Sequence, residues 1–351
     1  MNDNVRLGYA CVNMTLTSRP KKLGGRVTTS RGVRKDSWYH TWDLAKLGDI
    51  ALQNATDLLH YLKWNEDHGI TLFRIGSELI PWADHYELTD LPNYDLLAAK
   101  LRECGDFAKA HGHRLSTHPG QFHILCSPHE AVVNKTIVSL ERHSEMFDMM
   151  GFEPSFENKI NIHIGGAYGN HEATATRWLK GWDRLSDNCK SRLVIENDDK
   201  KSMYSVLMLY NLVHRLNGIP ITFDYYHHKF HTNGLSEHEA LMLARSTWPS
   251  HIRQATHWSE SRRQEYQTIV QNMCATNNIS EKDIPNWPTI AAYKKEINKI
   301  KETAHSDYIV GPIETYGLPL DIMIEAKAKE LALLRFRDIY VYNQNQQEIN
   351  L

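Results

Sequence analysis

Eight short apolar stretches of this 351-residue chain end on polar residues, most of them imidazoles or carboxylates. In chain order the ends are Asn13, Ser77 with Glu78, His118, His163, Glu196, Asp224 with His227, His257, and Glu325. Imidazole nitrogen and carboxylate oxygen are the usual donors to zinc or manganese. Singly, each has an ordinary explanation. A histidine after a strand is often a hydrogen-bonded core residue, and an acid there often caps or charges a helix start. Brought to one place, four histidines and three carboxylates would repel and desolvate badly without cations between them. A centre of two or three divalent ions is therefore expected. Such a centre stabilises both the attacking and the leaving oxygen of an in-line phosphoryl displacement. Phosphoester hydrolysis is the first reaction expected, and metal-assisted sugar isomerisation the second.

The stretches that must position these groups are Leu7–Met14, Ile70–Gly76, His113–His118, Ile160–Gly165, Arg192–Asn197, Ile219–Asp224, His251–His257 and Leu320–Glu325. Between them run amphipathic segments: Leu44–His68, Tyr94–His111, Glu130–Met150, His171–Lys190, Ser202–Asn217 and Ser236–Arg245. A last one, AKAKELALLRF, follows the eighth stretch. Strands alternating with helices imply βαβ units and a parallel sheet. Eight such units predict a closed (β/α)8 TIM barrel, whose functional groups sit at the carboxyl ends of its strands. An open doubly wound sheet is the competitor, but no G-x-G-x-x-G follows any of the strands. One barrel domain over 1–351 is expected, with a basic loop at 19–35 and a polar helical pattern within about 259–304.

Composition narrows the class further. No apolar run approaches the length of a membrane span, and no basic start followed by an apolar stretch marks a secretory signal. Five scattered cysteines without C-x-x-C point to reduced thiols, hence a cytoplasmic protein, nucleoid-associated if prokaryotic. The 20 histidines reinforce the metal reading. Net charge is −2, from 40 basic and 42 acidic residues, so any nucleic-acid contact must come from local clustering. Between Arg19 and Lys35 there are seven basic residues and no acidic one. Lys21, Lys22, Arg26 and Arg31 of this loop are candidate phosphate contacts. Arg74, Arg245, Arg253, Arg262 and Arg263 would extend the patch.

At these residues the chain resembles the UV damage endonuclease family, which is distantly related in fold and metals to endonuclease IV. The motifs are LGYACVN, RIGSELIP, STHPGQF, NIHIGG, VIENDD, FDYYHH, HSDYI and DIMIEAKAKE, in family order from Leu7 to Glu330. The resemblance implies a barrel holding up to three divalent ions, commonly Mn2+ with Zn2+ or Mg2+ possible, that nicks DNA immediately 5′ to ultraviolet photoproducts. It implies one ion held by Glu196, Asp224, His257 and Glu325. A second would be held by His118 and His163 with Glu196 bridging, and a third, looser one by His227 and His305. Gln121 and Phe122 would wedge into the duplex, while Tyr9 and Asn13 would line the pocket beside the lesion.

Three departures stand out. The stretch between His257 and His305 is longer than the resemblance implies, which makes about 259–304 a helical insertion. Phe122 replaces a tyrosine, keeping the stacking face and losing a hydroxyl. Ala255 replaces a lysine that the family often carries two residues before the seventh-strand histidine. The expected activity is a metal-dependent repair endonuclease on damaged double-stranded DNA, monomeric and with no obligate protein partner. Abasic sites are possible further substrates; an abasic-only nuclease, a sugar isomerase and an inactive metal scaffold are the alternatives.

Overall fold

A computed structural model describes residues 5–34, 43–280 and 282–342. Its eight strands are β1 (Arg6–Ala10), β2 (Leu72–Ile75), β3 (Arg114–Thr117), β4 (Ile160–His163), β5 (Leu193–Glu196), β6 (Ile221–Asp224), β7 (Gln254–Trp258) and β8 (Leu320–Ile324). They pair in parallel in sequence order and close β8 onto β1, the (β/α)8 barrel that the alternation predicts. Each strand falls within or one residue beside its predicted stretch. β1 is the shorter one. Cys11 turns into the left-handed region at φ 70°, and Asn13 then caps a short helical turn, Met14–Thr17, by accepting from the Leu16 amide.

The outer shell contains α1 (Leu44–Asp67), α2 (Tyr94–Ala110), α3 (Glu130–Met149), α4 (His171–Asp183), α5 (Val206–Leu209), α6 (Tyr225–Phe230) and α7 (Glu237–Ser246). Then follow α8 (Arg262–Asn277), α9 (Pro288–Ile297) and α10 (Glu330–Arg337). The predicted segment His171–Lys190 breaks after Asp183, because Ser186 caps a new turn by accepting from the Cys189 amide. α8 and α9 follow β7 within the stretch 259–304. They bury a cluster of their own, with Val270, Ile284, Ile290 and Ile297 at its centre.

Strand periodicity divides the core in two. Outward residues such as Tyr9, Phe73 and Ile75 pack with Leu58, Tyr61 and Leu62 of α1. Inward residues are more mixed in size and polarity. Gly8 is required there, since a Cβ would lie 2.3 Å from the Leu72 carbonyl oxygen. Two small apolar clusters fill the lumen: Ala10, Leu72 and Met323, and Val194 and Ala255 with Trp248 and Ile252. At the amino-terminal pole the lumen is closed by charge. Asp321 accepts two hydrogen bonds of 2.7 Å from Arg6 and one of 2.7 Å from Arg114, with Arg253 at 3.5 Å. Among the described residues, no helix is long and apolar enough to cross a membrane.

Candidate metal centre and nucleic-acid interface

Parallel register sets the opposite pole. His163 pairs with Glu196 across β4–β5, and Asp224 with His257 across β6–β7, so the donors come in two side-by-side pairs at the carboxyl ends of the strands. Glu196 is the hub. Its Oε2 lies 3.1 Å from His118 Nε2 and 3.8 Å from His163 Nε2, while its Oε1 lies 2.9 Å from His257 Nδ1 and 3.6 Å from His227 Nδ1. Among the described residues two triads have donor atoms all within 4.8 Å of one another: His118–His163–Glu196 and Glu196–Asp224–His257. Glu196 belongs to both.

The remaining predicted donors ring these triads. Glu325 Oε1 is 3.4 Å from His257 Nδ1, and His305 Nδ1 is 3.7 Å from Glu325 Oε2. The His227 and His305 rings are 6.2 Å apart. All eight predicted donors therefore meet at the carboxyl pole. Ala255 is buried against the lower apolar cluster and offers no donor.

Electrostatics mark the cluster as built for cations. Burial opposes ionisation of Glu196, but His257 and His163 override it and hold its carboxyl well below the usual range. Burial also opposes charging of His163, yet Asp198 and Glu196 push it up to about 10. Asp224 and Glu196 likewise raise His227 to about 9 against its burial. For Asp224, burial raises the carboxyl pKa, and Glu196 and Glu325 add to it. Its Oδ1 accepts from the His227 amide at 2.7 Å, whereas its enclosed Oδ2 makes no hydrogen bond among the described residues and lies 3.8 Å from His227 Nδ1 and 4.0 Å from His257 Nδ1. A buried carboxyl oxygen with a free lone pair among imidazole nitrogens is suited to a divalent ion. Nitrogen and carboxylate donors in this number fit zinc or manganese.

Three residues of the centre escape the reading of strand ends. Asn161 donates from Nδ2 to Glu196 Oε2. Asp198 Oδ1 lies 3.0 Å from His163 Nδ1 and orients that ring. Arg74, expected in a surface patch, instead points into the pole and pairs with Glu325. Strand parity held a signal for Asn161 and Arg74, because each shares a face with a strand-end group.

The loops around the pole sort the predicted DNA contacts. Gln121 and Phe122 project from the β3–α3 loop, with Phe122 79% exposed. A cavity of about 450 Å3 lies beside Phe122, between the β2 loop and α3, lined by Glu78, Trp82, Lys135, Arg142 and His143 among others. Lys21, Lys22 and Arg26 are exposed on the β1 loop. Arg31 is not free there: its guanidinium donates to Asp57 and to the Thr28 carbonyl, both at 2.5 Å. Lys35 lies outside the described residues.

Tyr9 and Asn13 differ from the expectation. Tyr9 faces the helices, donating to Asn65 Oδ1 at 2.7 Å and accepting from Asn13 Nδ2 at 2.9 Å. Both are wholly buried and present no surface to a ligand. Arg253 sits at the amino-terminal pole with Asp321, and Arg245 is taken up by the carbonyls of Trp248 and Ser250.

Fold and site together define a class: (β/α)8-barrel proteins with a buried histidine–carboxylate centre able to hold metal at the carboxyl pole of the strands. Within that class the relationship is specific. Residues 5–350 match the model of the UV-endonuclease UvdE family. A protein of Acanthamoeba polyphaga mimivirus is 30% identical over 339 residues, covering 95% of this chain and 91% of the relative. The UV-damage endonuclease of Schizosaccharomyces pombe is 32% identical over 342 residues, covering 93% of this chain and 49% of the relative, so the chain spans about half of that protein. The crystal structure of SacUVDE superimposes with a TM-score of 0.69 at 28% identity, over 95% of this chain and 99% of that one. The chain belongs to the UV-endonuclease UvdE family and is an endonuclease.

Proposed function

We propose that this protein hydrolyses the phosphodiester immediately 5′ to ultraviolet photoproducts in duplex DNA, cyclobutane dimers and 6-4 photoproducts, with abasic sites as further substrates. Glu196, shared by two donor triads beneath a protruding Gln121–Phe122 loop, carries this reading. His118 and His163 with Glu196 would hold one ion; Asp224, His257 and Glu325 with Glu196 would hold another. His227 and His305 would hold a third. Bound divalent ions, Mn2+ first among them with Zn2+ or Mg2+ as substitutes, supply Lewis acidity at phosphorus and bring the pKa of water near neutrality.

The chain's own residues do the rest. Asn161 and Asp198 fix the orientation of Glu196 and His163, as outer partners do for metal ligands generally. The exposed Phe122 ring has a stacking face for the gap left when a damaged, poorly stacked pair is extruded. Lys21, Lys22 and Arg26 track phosphates of the flanking duplex. No side-chain nucleophile is required, and the products are a 3′-hydroxyl and a 5′-phosphate.

Nicking of supercoiled plasmid tests the proposal. Conversion to open circles should require both irradiation and manganese and should stop with chelator. Metal-loaded protein that nicks only plasmid containing abasic sites would reduce the function to an abasic endonuclease. Nicking of neither would overturn it.

A further inference from the structure

Arg74 stands out among the arginines of the interior. Its side chain is 13% exposed, and its place is fixed by pairing with Ala10 of β1 and Ser116 of β3. A guanidinium offers five donors and cannot shed its charge in a protein. Arg114, enclosed at the other pole, spends its donors on Asp321 and on the carbonyls of Phe156, Glu157 and Arg253. Arg74 spends only Nη1, on Glu325, and its enclosed Nε has no partner among the described residues.

Glu325 is also one of the carboxylates proposed to hold a divalent ion. An ion bound by Glu325 competes for the one acceptor that Arg74 has among the described residues and brings further positive charge beside its fixed one. An anion with several oxygens entering between them offsets that charge and occupies the free donors. A planar fork with unspent donors suits phosphate oxygen, which it can bind through parallel charge-assisted hydrogen bonds.

We infer that Arg74 is the chain's own contact to the phosphate at the cleaved bond, reaching it from β2 once Glu325 turns to metal. The inference rests on the proposed reaction, which places a phosphodiester, and afterwards a 5′-phosphate, at this pole. Arg74 then selects for a charged group at the break, independently of the exposed loop that grips the flanking duplex.

The test uses the manganese-loaded full chain and two nicked duplexes, each broken immediately 5′ to a photoproduct. One carries a 5′-phosphate at the break and the other a 5′-hydroxyl, so neither needs to be cleaved. The wild type should prefer the phosphorylated duplex, and R74A should lose that preference by tenfold or more. Affinity for the hydroxyl duplex should stay within about twofold, and manganese per chain should be unchanged by elemental analysis. R74K, which keeps the charge without the fork, should retain part of the preference and provides the comparison if R74A folds poorly. An unchanged preference in both variants, no preference in the wild type, or loss of manganese in place of phosphate selectivity would overturn the assignment; metal loss would make Arg74 a tether for Glu325. A wild type that fails to nick irradiated plasmid counts against the proposed function. One that nicks, with a phosphate preference indifferent to Arg74, counts against this inference alone.

Discussion

Four imidazoles within 4 Å of the Glu196 carboxylate leave it little freedom except to stay ionised. Glu196→Gln keeps the size and removes the charge shared by both triads. Nicking should fall below detection and manganese content should drop, with circular dichroism unchanged; near-normal nicking would remove Glu196 from the bridging position. Asp198→Asn acts through His163 and should weaken manganese binding by about 10- to 100-fold, measured by titration of the metal-free protein. Unaltered affinity would return Asp198 to a structural part. Seven of the eight candidate donors were legible in the sequence as imidazoles and carboxylates at or just after strand ends, whereas His305 entered only through the family resemblance. Asn161 was not, since an amide inside a strand resembles any other polar residue until its Glu196 partner is known. Tyr9 was misplaced for a related reason. A motif identifies the residue but not its face, and Gly8 and Ala10 take the inward face of β1, which turns Tyr9 to the helices.

Elements were legible where periodicity was strong, and all eight strands and the long helices lie where the apolar patterns put them. Loops carried less information, because their side chains are set by neighbours distant in sequence. Arg31 shows this: it reads as one of a basic run, yet Asp57 of α1 has taken its guanidinium. The phosphate contacts proposed for the β1 loop are therefore Lys21, Lys22 and Arg26. Replacing these three with glutamine should lower the slope of log affinity against log salt by about 0.9 per lost contact. Adding Arg31→Gln should not flatten it further, but should lower the thermal midpoint through the lost Asp57 pair; an unchanged slope in the triple variant would place DNA elsewhere. The β3–α3 loop makes a separate contribution. Gln121→Ala with Phe122→Ala should reduce the preference for irradiated over intact duplex by about tenfold or more, in line with about 1–3 kcal/mol per stacked base. Manganese content should not change, since neither residue is a donor. Equal discrimination before and after substitution would leave Phe122 as a cover for the cavity beside it.

At the scale of the whole molecule the barrel carries charge at both ends of its lumen, for opposite reasons. The carboxyl pole gathers imidazole and carboxylate donors of the kinds that hold divalent cations. The amino pole is already internally compensated, with Asp321 buried among Arg6, Arg114 and Arg253 and bonded directly to the first two. Burial and Arg114 push the pKa of the buried Lys159 well down. Burial opposes ionisation of Asp321, yet Arg114 and Arg6 hold its carboxyl below the ordinary value of 3.8. A carboxyl depressed on folding stabilises the native state fully above its unfolded pKa, and that contribution is lost as pH falls through the folded value. The relevant window thus lies below about pH 4. Asp321→Asn removes the buried counter-charge of Arg114, leaving it only the half-exposed Glu157 at 3.0 Å, and should cost about 3 kcal/mol at neutral pH. The difference from wild type, read from urea unfolding of the metal-free protein, should hold from pH 7 to about pH 5 and shrink below about pH 4 as the native carboxyl takes up its proton. A difference that stays constant into acid would mean that shape, not charge, closes this end of the barrel. Manganese content should be the same in both proteins, because the two charged ends are separated by the apolar middle of the lumen.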